Sequence, residues 1–180
     1  MDISVSLTRS DTTEYTDHNM GNQNKIKGVV VGKFYPPHKG HHYLINTALK
    51  NCNELTVIVC ARDDQSIPGK LRAQWIKEVH PTARVILADD NIPDDGTPEA
   101  YSRAWADYTI KILGFVPDIA FTSEGYGERW CNYMGCKHFL VDMSRTQIPC
   151  SGTMIRNNPL EYMDFLEPPI QEYFRKHLTK

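Results

Sequence analysis

Lys27-Gly28-Val29-Val30-Val31-Gly32-Lys33-Phe34-Tyr35-Pro36-Pro37-His38-Lys39-Gly40-His41-His42 decides how this chain folds. The run through Val31 is compact, apolar and β-branched, and reads as a short buried strand. Two prolines then rule out both a continuing ladder and a helix interior. Beyond them, apolar residues recur at helical spacing in Leu44-Ile45-Asn46-Thr47-Ala48-Leu49. A strand therefore ends, a tight polar turn follows, and a helix begins. That order aims the unpaired N–H groups and positive dipole end of the helix at the turn, which makes an anion site before any side chain is counted. Gly32 and Gly40 permit close backbone approach, and Lys33, His38, Lys39 and His41 add donors. On a helix starting near Gly40, His41 shares a face with Leu44, Ile45 and Ala48 and should look inward, while His42, on the face of Asn46, should look outward.

Working outward, strand-like and helix-like runs alternate. Strands are expected at Leu55–Cys60, Arg84–Ala88, Asp118–Thr122 and His138–Val141, with helices at Gly69–His80, Pro98–Leu113 and Gly127–Met134. Such alternation means β-α-β units, hence an α/β fold with a doubly wound parallel sheet of five strands, order 3-2-1-4-5, followed by C-terminal helices. In that order the winding reverses between the first and fourth strands, so ligands should bind where their carboxyl ends meet. There the histidine turn faces Thr122-Ser123-Glu124-Gly125-Tyr126.

A second anion-facing element is Ser151-Gly152-Thr153-Met154-Ile155-Arg156, in which two hydroxyl residues open a short helix limited by Pro159. Arg156 offers a planar fork for phosphate oxygens. Taken alone, S-G-T is only a plausible helix cap. No Glu separates the histidines as in a zinc-type H-E-x-x-H, and neither Cys nor carboxylate stands at ligand spacing, so no protein-bound metal is expected. Asp63-Asp64 reads as a solvated loop.

The 180 residues suit one domain at 25–180 behind a polar stretch at 1–24, which reads as a flexible tail. The alternative for that stretch is an extension that orders against a neighbouring subunit, which leaves homo-oligomerisation open. A formal net charge of -2 argues against a general nucleic-acid binder. Without a membrane-length apolar run or the apolar core of a signal peptide, a cytoplasmic protein is expected. The five cysteines form no C-x-x-C pair and fit reduced thiols.

The turn G-K-F-Y-P-P-H-K-G-H resembles the G-x-F-x-P-x-H-x-G-H signature of the nucleotidyltransferase superfamily, whose fold is Rossmann-like, and S-G-T-M-I-R resembles its second signature. With Thr122-Ser123-Glu124 and Val141-Asp142 followed by Arg145-Thr146, the set resembles the nicotinamide-mononucleotide adenylyltransferase domain of NadR-type proteins, in the family's order over about 27–180. No helix-turn-helix precedes it and no G-x-x-x-x-G-K-[ST] loop follows. Neither the DNA-binding repressor role nor the ribosylnicotinamide kinase activity of full-length NadR proteins is therefore expected.

The resemblance implies transfer of AMP from ATP to nicotinamide mononucleotide, giving NAD and pyrophosphate, with Mg²⁺ carried by ATP. It implies catalytic roles for His38, His41, Lys33 and Arg156. It assigns ATP contacts to Gly32, Phe34, Tyr35, His38, Gly40, His41, Ser151, Gly152, Thr153 and Arg156. Lys33, Trp105, Ser123, Glu124 and Asp94 would meet the nicotinamide nucleotide. Trp105 is equally readable as a core residue, and Arg72 as a phosphate contact or a surface residue. Two alternatives stay open: a related nucleotidyltransferase with another phosphate acceptor such as nicotinate mononucleotide, and a non-catalytic nucleotide sensor.

Overall fold

The computed structural model describes residues 25–92 and 96–178. The expected tail at 1–24 and the candidate Asp94 lie outside the described residues. Five parallel strands, β1 (Lys27–Gly32), β2 (Glu54–Ala61), β3 (Arg84–Asp89), β4 (Ile119–Thr122) and β5 (Lys137–Leu140), form one sheet in the order β3-β2-β1-β4-β5. Between them run α1 (Lys39–Asn51), α2 (Gly69–Val79), α3 (Pro98–Leu113) and α4 (Gly127–Met134). After β5 come α5 (Gly152–Asn157), a 3₁₀ turn (Met163–Phe165) and α6 (Pro168–Leu178). The expected order is observed, and strand and helix limits differ from expectation by a residue or so.

The central strands β1, β2 and β4 are buried on both faces, which is why they read as continuous apolar runs rather than alternating ones, whereas the edge strands β3 and β5 are exposed or half-buried at most positions. Side chains nevertheless alternate with the pleat. Val30, Val57, Val59 and Phe121 pack with Leu44, Ile45 and Ile76 of α1 and α2, whereas Val29, Ile58, Cys60 and Ala120 pack with Ala106 of α3 and Trp130 of α4. A third cluster joins Ile67 and Trp75 of the α2 region to Ile155, Leu166, Ile170 and Phe174, so the C-terminal helices are seated against α2. That packing carries α5 back to the ends of β1 and β4.

Two expectations fail here. His42 does not look outward: it is 5% exposed, and its Nδ1 lies 2.9 Å from Nε2 of His80, the residue that ends α2. A helical wheel for α1 alone could not include a polar partner supplied by another helix. Arg72 is neither a surface residue nor a lining residue of the cavity described below. It is fully buried, donating to the carbonyls of Ile67 (3.0 Å), Cys60 (3.2 Å) and Lys33 and to Oε1 of Gln65 (2.6 Å). Carbonyls at the ends of β1 and β2 that leave the ladder need donors, and a single guanidinium supplies them.

Among the described residues no helix is long and apolar enough to cross a membrane. All five cysteines are free thiols, Cys60 buried and Cys52 partly so. Asp63 and Asp64 are exposed, with Asp64 paired to Arg62 at 3.4 Å.

Candidate active site

A cavity of about 790 Å³ opens over the carboxyl ends of β1 and β4, where the winding of the sheet reverses. That volume suits a nucleotide-sized ligand. Every described residue assigned from the sequence to the catalytic, ATP or nicotinamide-nucleotide sites lines it, whereas Arg72 does not.

Its floor is the turn between β1 and α1. His38 caps the helix, its Nδ1 accepting the Gly40 N–H at 3.2 Å, so the histidine belongs to both the helix and the site. The approach explains Gly40, where an added Cβ would stand 3.0 Å from the His38 ring. His41 stacks on His38 with centroids 3.8 Å apart and meets Phe34 edge-on at 4.9 Å. Its Nδ1 is buried with no hydrogen-bond partner among the described residues. Phe34 itself is 1% exposed, with φ 46°; its ring belongs to the core, and its value to the cavity is to back the histidines.

Both histidines are held neutral. Burial, then His42 and Arg145, lowers His38 to about 3. Burial, then His38, His42 and Arg145, holds His41 well below its usual value. Neutral rings can still donate an N–H to a phosphate, and with Nδ1 of His38 occupied as an acceptor its proton belongs on Nε2.

α5 forms the facing wall. Ser151 caps it by accepting the Met154 N–H at 3.2 Å, so the capping reading of S-G-T is realised in the geometry. Arg156 donates to the Tyr35 carbonyl and to Thr153 Oγ1 (3.2 Å), and its guanidinium lies 4.5 Å from the Tyr35 ring centroid. Gly152 is required where the two motifs meet, since a Cβ there would come within 2.6 Å of the Tyr35 carbonyl oxygen. Residues from opposite ends of the chain thus share one surface.

Among the described residues three acidic ones line the cavity, and each is engaged. Asp90, almost fully buried, pairs with Lys33 Nζ at 3.3 Å, and Glu124 meets Arg145 at 3.5 Å. Asp142 accepts the N–H groups of Thr146 (2.8 Å), Gln147 (3.1 Å) and Ile148 (3.2 Å). Desolvation opposes ionisation of Asp142, but the bonds from Gln147, Ile148 and Thr146 together outweigh it and lower its pKa. Among the described residues no group of three or more His, Cys, Asp or Glu side chains could hold a metal ion.

On α3, Trp105 is half-buried, edge-on to Tyr101 (6.2 Å) and Tyr108 (5.9 Å), and borders both the cavity and the core beneath α3. Ser123 and Glu124 follow β4 directly. Sequence reasoning gave no role to several lining residues, notably Arg145, whose charge acts on both histidines. Its motif was visible, but its placement depends on the Asp142 turn, in which Asp142 and Arg145 have φ 43° and 54°. Asp90 and Cys150 carried no motif and were brought in by packing.

A doubly wound sheet carries a histidine-capped helix start and an S-G-T-x-x-R helix at its switch point, an α/β arrangement resembling that of nucleotidyltransferase domains. In sequence the chain is similar to NadR proteins over most of its length. It is 30% identical over 173 residues to the trifunctional NAD biosynthesis/regulator protein NadR of Escherichia coli (strain K12), covering 84% of this chain and 41% of that protein. The Salmonella typhimurium NadR protein is 29% identical over 167 residues, with 82% and 40% covered. The chain thus spans about two fifths of the length of these relatives. Residues 27–89 match the family described as the citrate lyase ligase C-terminal domain. The fold matches a crystal structure of a NadR protein in complex with NAD and AMP-PNP, with a TM-score of 0.62 at 20% identity, covering 85% of this chain and 46% of that one. A NadR protein in complex with NR matches with a TM-score of 0.60 at 19% identity, covering 79% and 43%.

Proposed function

We propose that this domain transfers AMP from ATP to the 5′-phosphate of nicotinamide mononucleotide, giving NAD and pyrophosphate. The observation that carries the reading is the junction of the two motifs. His38 and His41 at the start of α1 share one cavity with Ser151, Thr153 and Arg156 of α5, and the similar NadR proteins are named for NAD biosynthesis.

The acceptor phosphate is already a nucleophile, so the protein's work is alignment and relief of repulsion between anions. Neutral His38 and His41 would donate ring N–H groups to the α-phosphate as charge builds there. The backbone near Gly40 admits the phosphates closely, and Lys33 adds a cation on leaving Asp90 or while sharing it. Ser151, Thr153 and Arg156 would hold the departing pyrophosphate. Trp105 presents a flat indole suited to stacking on a pyridinium ring, with Ser123 and Glu124 placed for polar contacts to the acceptor. Because Asp90 and Asp142 are engaged by protein groups, the site fits a Mg²⁺ that arrives on the triphosphate, held by phosphate oxygens and water. The ion would neutralise phosphate charge.

The test is product analysis from Mg·ATP with a panel of phosphate acceptors. NAD and pyrophosphate from nicotinamide mononucleotide are expected. Much faster turnover of nicotinate mononucleotide or a phosphopantetheine would overturn the acceptor assignment, and tight ATP binding without turnover would make the domain a sensor.

A further inference from the structure

The end of α4 carries two cysteines that the proposed reaction does not use. The helix stops at left-handed Gly135 (φ 76°), whose N–H reaches the Asn132 carbonyl at 3.3 Å while the Cys136 N–H reaches the Cys131 carbonyl at 3.2 Å. This pair of closing bonds sets the side chains of its first and last residues against each other, a contact commonly made by apolar groups. Here both are thiols, joined through the backbone by the Cys136 N–H to Cys131 carbonyl bond, and each shifts the ionisation of the other. Cys131 is 1% exposed, beneath the sheet with Trp130 and Met134, whereas Cys136 is only partly buried. The other thiols are placed differently: Cys52 donates to the Ala48 carbonyl, Cys150 meets His38, and Cys60 is buried in β2.

We propose that Cys131 and Cys136 are a redox modification site, a dithiol that a low-molecular-weight disulfide converts reversibly to an intramolecular disulfide. The two residues have the asymmetry such exchange uses. Interaction with Cys131 lowers the pKa of the Cys136 thiol, as do N–H groups of Cys136 and Ala120, against burial. Interaction with Cys136, then burial, pushes Cys131 up. Cys136 thiolate attacks one sulfur of the small disulfide; that S–S bond breaks, and the released thiolate takes up a proton. Cys131 then loses its proton to solvent and attacks the Cys136 sulfur, expelling the second small thiol. The protein gives up two electrons and two hydrogens, and the disulfide becomes two thiols. The helix end already holds the two residues on one closing turn, with the Cys136 N–H on the Cys131 carbonyl and both side chains in one cluster, so the remaining adjustment to bonding geometry is side-chain rotation.

The experiment incubates the folded chain with oxidised glutathione, blocks remaining thiols and maps the peptides by mass spectrometry. A Cys131–Cys136 link that a dithiol reductant reverses, with the other three cysteines blocked or unreacted, is the expected result. Cys131→Ser should trap glutathione on Cys136, and Cys136→Ser should leave buried Cys131 unmodified. Wild-type protein that forms no such link, or links either cysteine to Cys52, Cys60 or Cys150 instead, overturns the proposal. If a serine variant does not fold, the wild-type map decides alone.

Discussion

His38 Nδ1 and Cys150 Sγ lie 3.2 Å apart, joining residues separated by 112 positions and bracing the histidine turn against the entry to α5. The Gly40 N–H meets the same nitrogen. With that edge of the ring occupied, Nε2 is the nitrogen left to donate to a ligand. A local helix cap and a tertiary contact together orient a side chain that neither would hold alone.

That orientation leads to the first prediction, for His41→Ala and Arg156→Ala made separately. Charge develops on the α-phosphate and then on the leaving pyrophosphate, so the loss should fall mainly on kcat. Each change should slow turnover on the order of 10²- to 10³-fold, about 3–4 kcal/mol, by analogy with loss of one preorganised oxyanion donor. Thermal melting and kcat on the same samples check this; near-normal turnover by both folded variants would reject the site.

Trp105→Ala should weaken binding of nicotinamide mononucleotide much more than binding of ATP, since the indole is supplied by α3 and belongs to neither phosphate motif. Isothermal titration with each ligand measures the difference. Equal losses accompanied by a lower melting temperature would return Trp105 to the core alone.

Stability should fall on mild acidification because of the His42–His80 pair. Burial, then His80, lowers His42 from 6.5 to about 4, and burial lowers His80. Between those values the unfolded chain takes up protons that the folded chain refuses. The contribution is therefore complete above 6.5 and lost as pH falls toward 4. The loss should be on the order of 2–3 kcal/mol for His42. Urea unfolding across this range should show a flatter pH profile for the double variant His42→Ile, His80→Leu. An unchanged slope would exclude the pair as its source.

Arg72→Leu should destabilise the domain by about 3 kcal/mol or more, because it strands several buried carbonyls at once. Arg72→Lys should recover little, since an ammonium cannot span the same acceptors. Denaturant midpoints of both variants decide this. A Lys variant matching wild type would show that charge, and not the fork, is what the site needs.

The strand order, the turn before α1, the S-G-T helix start and nearly every element limit were readable from local patterns. β-branched runs, prolines, glycines and helical spacing act over a few residues, and right-handed β-α-β winding turns them into one topology. For the same reason His38, His41 and Arg156 could be named before their placement in one cavity was seen. His42, Arg72, Asp90 and Cys150 could not be placed, because their environments are made by residues far along the chain. A histidine is buried when another helix brings His80, an arginine when strand ends present free carbonyls, and a thiol meets His38 only after α6 packs α5 against α2. Burial of a polar side chain depends on where its hydrogen-bond partner comes from, and here the partners arrive only with tertiary packing.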